Sequence, residues 1–387
     1  MAVDKDYIYL DNAAATRTDD EVVKAMLPYF TEIYAVASSQ FSHQPGLEAS
    51  EAINAARESI GQKFKVKPDE VIFTSDAAES NNLAIKGFCL ANRQKGDHVV
   101  TMKTEVYSVL HSCRSLEESG IRVTKLPVDS GGRLDPDDFR KALTDKTILA
   151  TIQWVNQETG TIQPIEQLSA ICREKGVAFH TDASYAAGRI DIDLAKIPVD
   201  MLTLTAALIH GPKGSACLVR RKSVKLKKLT DGGFNEFDLR AGVENIPGIV
   251  GLAKALEIMT SERFDKVKKL DAQLWNGLSG VEDSVLNGSP EHRLPGILNV
   301  SYDRVEGESV ILHLDMKGIA VITGSACFSR SLEPSYVLMS MGHSHERAHG
   351  SIRYSLSHGN TAEQMDRVVA ATKEVVERLR RITPVKK

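Results

Sequence analysis

Five cysteines are spread along the chain, at 89, 113, 172, 217 and 327. Four of them sit within apolar runs or helical patterns, where a thiol behaves as a small buried hydrophobe. Cys327 differs, because it follows Thr323-Gly324-Ser325-Ala326 in a turn-prone segment. A thiol presented on such a turn can act as a nucleophile or as a soft metal ligand once it loses its proton. The odd count and the absence of CxxC spacing argue against a disulfide framework and against a self-contained zinc or cluster site. His343, His345 and His349 lie close together, yet no acidic or cysteine ligand stands at a diagnostic spacing, so a metal centre is the weaker reading of them. Lys213 stands in the turn Gly211-Pro212-Lys213-Gly214, where a lysine is ordinarily a solvated loop residue.

These residues need a frame. The stretch Asp200–Arg221 begins as an apolar β-prone run, passes through the Gly-Pro-Lys-Gly turn and resumes at Ala216–Val219, which predicts two short strands joined by that turn. From Glu70 to Val219, β-like runs alternate with helical patterns: Val71–Thr74, Ala77–Asn92, Val99–Thr101, Val106–Glu118, Val123–Val128, Asp137–Leu143, Ile148–Val155, Glu166–Lys175 and Ala178–Asp182. That alternation predicts a mostly parallel sheet with helices on both faces. Helices are also expected over Asp20–Tyr29, about Ala49–Phe64 and about Ile249–Leu278. The closing segments Leu294–Tyr302, Ser309–Met316, Ala320–Thr323, Ile352–Leu356 and the helix Ala362–Arg380 make a compact α/β end domain. Met365, Val368, Val369, Thr372, Val376 and Leu379 form its core-facing stripe.

The 387 residues suffice for one large and one small domain. Hydrophobic content of 42% and charged content of 26% are ordinary for a globular protein, and a net charge of −3 gives no footprint for nucleic acid or an anionic membrane. No apolar run is long enough to cross a bilayer, and MAVDKDYIYL lacks a signal peptide's apolar core, so the cytoplasm is expected.

The segment YLDNAAATRTDDEVVKAMLPYF, the frame around Gly-Pro-Lys-Gly and the pair Gly324-Ser325-Ala326-Cys327 with Ser331-Leu332-Glu333-Pro334-Ser335 resemble the NifS/IscS-type cysteine desulfurases. The resemblance spans essentially the whole chain. It implies the α/β architecture of fold type I (aspartate aminotransferase-like) enzymes. The large domain, with a mostly parallel seven-stranded sheet, is then expected over 15–260, and a small α/β domain over 1–14 and 261–387. It also implies a homodimer in which each active site borrows residues from the other subunit.

Position by position, the site departs from that family. The lysine that bonds pyridoxal phosphate is replaced by Leu208 in Thr205-Ala206-Ala207-Leu208, and Ala207 replaces a phosphate-contacting histidine. The phosphate cradle reads Thr74-Ser75-Asp76-Ala77-Ala78-Glu79, in which Ala78 lacks a hydroxyl and Asp76 is expected to cap the helix and repel a dianion. Val243 replaces a hydroxyl residue of the second subunit. Val106 replaces the histidine that stacks on the ring, Tyr185 replaces a glutamine, and Ala35-Val36-Ala37-Ser38-Ser39 replaces Gly-Asn-Pro-Ser-Ser. Asp182, the partner of the ring nitrogen, is kept, as are Asn156, Thr205 and Arg353, the arginine that grips the substrate carboxylate. Without a partner, Asp182 would have a raised pKa if buried, Asn156 would close a turn, and Arg353 would be a structural ion pair. The cavity is expected to be partly filled by Leu208, Val106, Tyr185 and Phe234.

The resemblance with these departures leads to three expectations. The first is a desulfurase-like protein of iron–sulfur cluster assembly, not a working desulfurase, that does without pyridoxal phosphate. It would offer Cys327 to an IscU-type scaffold as sulfur carrier or as ligand of a shared iron–sulfur cluster. The second is an active desulfurase with an unconventional lysine such as Lys213. The third is a structural subunit of an active paralogue.

Overall fold

The computed structural model describes residues 6–324 and 333–382. Twelve strands are found among the described residues: β1 (Ile8–Tyr9), β2 (Val71–Thr74), β3 (His98–Met102), β4 (Arg122–Leu126), β5 (Thr147–Thr151), β6 (Ala178–Asp182), β7 (Met201–Thr205), β8 (Ala216–Arg220), β9 (Ser284–Asn287), β10 (Ile297–Tyr302), β11 (Ile319–Ala320) and β12 (Ser351–Ser355). Seven form one sheet in the order β2-β8-β7-β6-β5-β3-β4. Every pairing in it is parallel except those of β8, which runs against both β2 and β7. β3, β5 and β7 are buried throughout and β6 from Phe179 onward, as strands covered by helices on both faces must be. The sheet is the mostly parallel α/β sheet that the alternating pattern predicts. A second sheet, β12-β10-β9, is antiparallel, and β1 pairs with β11 in parallel, which brings the first described strand to residues over 300 positions away.

Local chemistry sets the helix limits. The helix Gln44–Phe64 starts earlier than its apolar stripe suggests, because the His43 ring accepts the Gly46 N–H and Pro45 occupies the first turn. It ends at Lys65, whose φ of 57° is left-handed. Ala49, Ile53, Ala56, Ile60 and Phe64 face inward, against the helix Ile246–Ile258. The long helical region expected up to Leu278 is two helices: Thr260 caps the second, Ser261–Leu278, by accepting the Arg263 N–H. Similarly, Ala77–Asn92 contains a wide turn at Leu83–Gly87. Gly87 there lies so close to the Lys227 carbonyl that a Cβ would stand 2.7 Å from it.

Candidate active site

In a parallel α/β sheet the loops after the strands' C-terminal ends form the natural ligand crevice. Here β3, β5, β6 and β7 deliver Thr104–Val106, Gln153–Glu158, Asp182–Tyr185 and Thr205–Leu208. Asp182 is buried, with Oδ2 accepting from Asn81 Nδ2 at 2.7 Å and Oδ1 from the Ser184 N–H at 2.9 Å. Burial pushes its pKa up against the pull of these bonds, the outcome expected of a buried, weakly compensated aspartate. Glu105 is fully buried and accepts the Gln153 N–H at 2.8 Å; burial, aided by the Asp182 charge, raises its pKa well above the carboxylate range. Asn156 donates to the Thr104 carbonyl at 3.0 Å and accepts the N–H groups of Glu158 and Thr159, so it closes the turn after β5. Thr205 donates weakly to the Ser215 carbonyl at 3.4 Å.

The small sheet contributes Arg353, on β12. Its guanidinium is ion-paired with Asp11 at 2.8 Å and donates to the Gln157 carbonyl at 3.1 Å. Gln157 donates in turn to the Tyr336 hydroxyl at 2.9 Å, and that hydroxyl donates to the Glu105 carbonyl at 2.5 Å.

Buried atoms without hydrogen-bond partners gather in this network: Asn81 Oδ1, Thr104 Oγ1, Glu105 Oε2, Gln153 Oε1, Ser184 Oγ and Arg353 Nε. Each such atom costs about 1–3 kcal/mol when left unmet. Their concentration at the strand ends is the signature of a place built to receive polar groups.

The opposite end of the crevice is changed. Asp76 Oδ1 accepts the Ala78 N–H at 2.9 Å and so caps its own helix. Glu79 accepts from Ser75 and pairs with Arg240 at 3.0 Å. Leu208 ends a single tight turn, Ala206–Leu208, and its carbonyl accepts from Arg189 Nη2 at 2.6 Å. Burial lowers that guanidinium's pKa to about 10. Tyr185 points its hydroxyl to the Ala13 carbonyl at 2.8 Å, and Val106 packs against the apolar cluster beneath β3. Phe234 does not fill the cavity: it is 86% exposed. The left-handed run Glu236–Asp238 that follows turns Glu236 inward onto Arg57 and leaves Phe234 outside. Lys213 is exposed on its turn. The His345 and His349 rings lie 5.0 Å apart and tilted by 45°, but among the described residues no group of three His, Cys, Asp or Glu could hold a metal. Cys327 lies outside the described residues. Two groups passed over in the sequence are Arg189 and Glu158, the latter a buried carboxyl in the Asn156 turn pushed up to about 7 by burial. An acidic residue inside a tight polar turn was the available signal for it.

The sequence profile of the Aminotransferase class-V family matches residues 8–368. The chain belongs to that family. It is 45% identical over 381 residues to a cysteine desulfurase IscS of Methanosarcina thermophila, covering 98% of this chain and 94% of the relative. Among solved structures, a NifS-like protein superposes with a TM-score of 0.90 at 33% identity, covering 96% of this chain and 99% of that one. SspA, solved in complex with cysteine, gives 0.83 at 32%, covering 92% and 100%.

This kinship overturns the expectation that the chain does without pyridoxal phosphate. A class-V aminotransferase so close to a named cysteine desulfurase, an activity the resemblance ties to that cofactor, points to its use. The expectation erred by letting the losses at the phosphate end, at Val106 and Tyr185 and at Leu208 outweigh the retained Asp182, Asn156 and Arg353. At the ring end the buried carboxylate of Asp182, Asn156 and the unmet atoms of Asn81 and Ser184 fit a polar aromatic ring, and Arg353 fits a carboxylate. The set contains no amine at 208 to bond the cofactor.

Proposed function

We propose that the protein serves iron–sulfur cluster assembly as a homodimeric, cytoplasmic protein of the cysteine desulfurase type, with pyridoxal phosphate at the strand-end crevice and Cys327 offered to an IscU-type scaffold. The observation that supports this reading best is the run of buried, unpartnered polar atoms around Asp182, Asn156 and Arg353. When bound, the cofactor supplies an electron sink for bonds at the substrate's α-carbon. The chain's part is to hold it. Asp182 presents a carboxylate suited to a ring nitrogen, Asn156 fixes the turn beside it, Thr205 keeps a hydroxyl at the end of β7, and Arg353 presents a cation for a carboxylate. Leu208 moves no proton. The Cys327 thiolate attacks the sulfur of a bound cysteine, the C–S bond breaks with its electron pair going to carbon, which takes a proton to leave alanine, and the resulting persulfide sulfur passes to the scaffold; alternatively Cys327 binds the scaffold's cluster directly, and the cluster is cargo in either case.

The test is co-expression with an IscU-type scaffold, comparing the chain with its Cys327→Ser variant by iron and sulfide analysis of the co-purified complex. Loss of the cluster or of sulfur transfer in the variant is expected. An unchanged cluster would remove Cys327 from the assignment and favour a structural subunit. Titration of the protein with pyridoxal phosphate, followed by visible absorbance and quenching of tryptophan fluorescence, tests the crevice separately.

A further inference from the structure

Arg189 is a cation without a counter-ion. Its Nη1 donates to the Tyr185 carbonyl at 3.0 Å and its Nη2 to the Leu208 carbonyl at 2.6 Å, and no carboxylate pairs with it among the described residues. Carbonyl oxygens carry only partial charge, so a desolvated guanidinium held by them alone stays uncompensated.

Arg189 borders a cavity of about 20 Å³. The cavity lies between the loops after β6 and β7 and the helix Ser261–Leu278, with the ends of β10 and β12 closing it. Asp182, Asn156, Thr205 and Arg353 do not line it, and no Asp or Glu side chain does. Its other cation, Arg263, is neutralised, with Nη1 on Asp19 at 2.9 Å and Nη2 on Glu21 at 2.7 Å. His358 shares Asp19, with Nε2 at 3.5 Å, and its ring meets that of His210 edge-on with centroids 4.2 Å apart. Burial pushes the His210 pKa down to about 4 and lowers that of His358, so both rings are neutral at pH 7. His210 reaches this place from a left-handed backbone, φ 63°, which few residues other than glycine adopt. Among the residues bordering the cavity, Arg189 is left as the charge that nothing offsets.

A space of this size takes one or two bodies as large as a water molecule. Water would hydrate the guanidinium without neutralising it. Sulfate and phosphate are larger, and the walls formed by Met259, Phe264, Val267 and Leu294 offer their extra oxygens no donors. A monatomic anion meets the limits of size, charge and wall chemistry together.

We propose that this cavity is a halide site, in which the Arg189 guanidinium holds a chloride-sized anion beside the His210 and His358 rings. The site goes beyond the function proposed above and needs neither the cofactor nor Cys327. Because the same guanidinium holds the Leu208 carbonyl, the anion steadies the turn that ends β7.

Two measurements on the whole chain test it, with bromide as the second probe. Thermal unfolding of wild type and Arg189→Met is followed in sodium chloride, bromide and gluconate at equal ionic strength. General salt effects act on both proteins and cancel in the difference between their midpoints. That difference is expected to be at least about 2 °C larger in either halide than in gluconate, which is too large to enter. Anomalous diffraction from wild-type crystals grown in bromide is expected to show a peak within hydrogen-bonding reach of Arg189, and it decides the question should Arg189→Met fold poorly. The same midpoint difference in all three salts overturns the proposal, as does a cavity with no bromide peak.

Discussion

Burial sets the protonation of the crevice's acids, and one of them makes a measurable pH dependence. The Glu158 pKa is raised from 4.5 to about 7, with desolvation as the largest cause and Ser335, Arg353 and Asn299 opposing it. A carboxyl whose folded pKa lies above its unfolded value is most stabilising to the fold when protonated. The contribution is complete below about 4.5 and is lost as pH rises through about 7, a change of about 3 kcal/mol. Glu158→Gln stays neutral throughout. Urea unfolding between pH 5 and pH 8 is therefore expected to show the wild type losing stability relative to the variant as pH rises. Parallel curves would mean that Glu158 titrates near its ordinary value. The sequence made part of this visible. Asp182 was singled out and its raised pKa follows chiefly from burial, but nothing local to Glu158 announced that Asn299, Ser335 and Gly324 converge on it from positions over 140 residues away.

Elements were legible where a short run meets one kind of environment. Val71–Thr74 and Ala178–Asp182 have the expected limits, because fully buried strands are continuous apolar or β-prone runs bounded by polar residues. Limits set by a cap or a wide turn were not, as at Thr260 and Leu83–Gly87, since single side-chain contacts decide them. The helix Ala77–Asn82 offers a test of the phosphate end. Asp76 occupies its N-terminal amides, and Ala78 lacks a hydroxyl. Asp76→Gly costs the helix a few tenths of a kcal/mol, because glycine is tolerated as a cap. Combined with Ala78→Thr it removes a repelling carboxylate and adds a donor, each charge-assisted contact being worth about 1.5–3 kcal/mol. Pyridoxal phosphate should bind the double variant at least tenfold tighter in a fluorescence titration, and unchanged affinity would place the phosphate elsewhere. A second element, the left-handed run Glu236–Asp238, is held by the Arg57–Glu236 pair, with bonds of 2.9 and 2.7 Å and the Phe73 N–H as a further donor. Arg57 has the Phe73 ring 4.6 Å away and is buried. Removing its partner leaves an unpaired buried cation, so Glu236→Ala is expected to cost about 3–5 kcal/mol in chemical denaturation. A loss under 1 kcal/mol would show that the run holds itself.

At the scale of the whole molecule, the most exposed aromatic rings among the described residues come from two stretches. Phe41 is 93% exposed and Tyr34 79%, with Phe30 and Leu27 also exposed in the first stretch; Phe234 and Val243 belong to the second. Scattered apolar residues need no explanation, but aromatic rings exposed to this degree mark surfaces that another chain covers. Val243, in the second stretch, stands where the resemblance implies a residue that one subunit contributes to the other's site. The net charge of −3 is small and does not oppose self-association. Burying a phenylalanine side chain is worth about 1.5–3 kcal/mol, so placing a charge at two such positions should cost several powers of ten in the association constant. The wild type is expected to sediment as a dimer at micromolar concentration, and Phe41→Asp with Phe234→Asp to sediment as a monomer of unchanged helix content by circular dichroism. A wild-type monomer would refute the dimer. A double variant that stays dimeric would place the interface away from these two stretches.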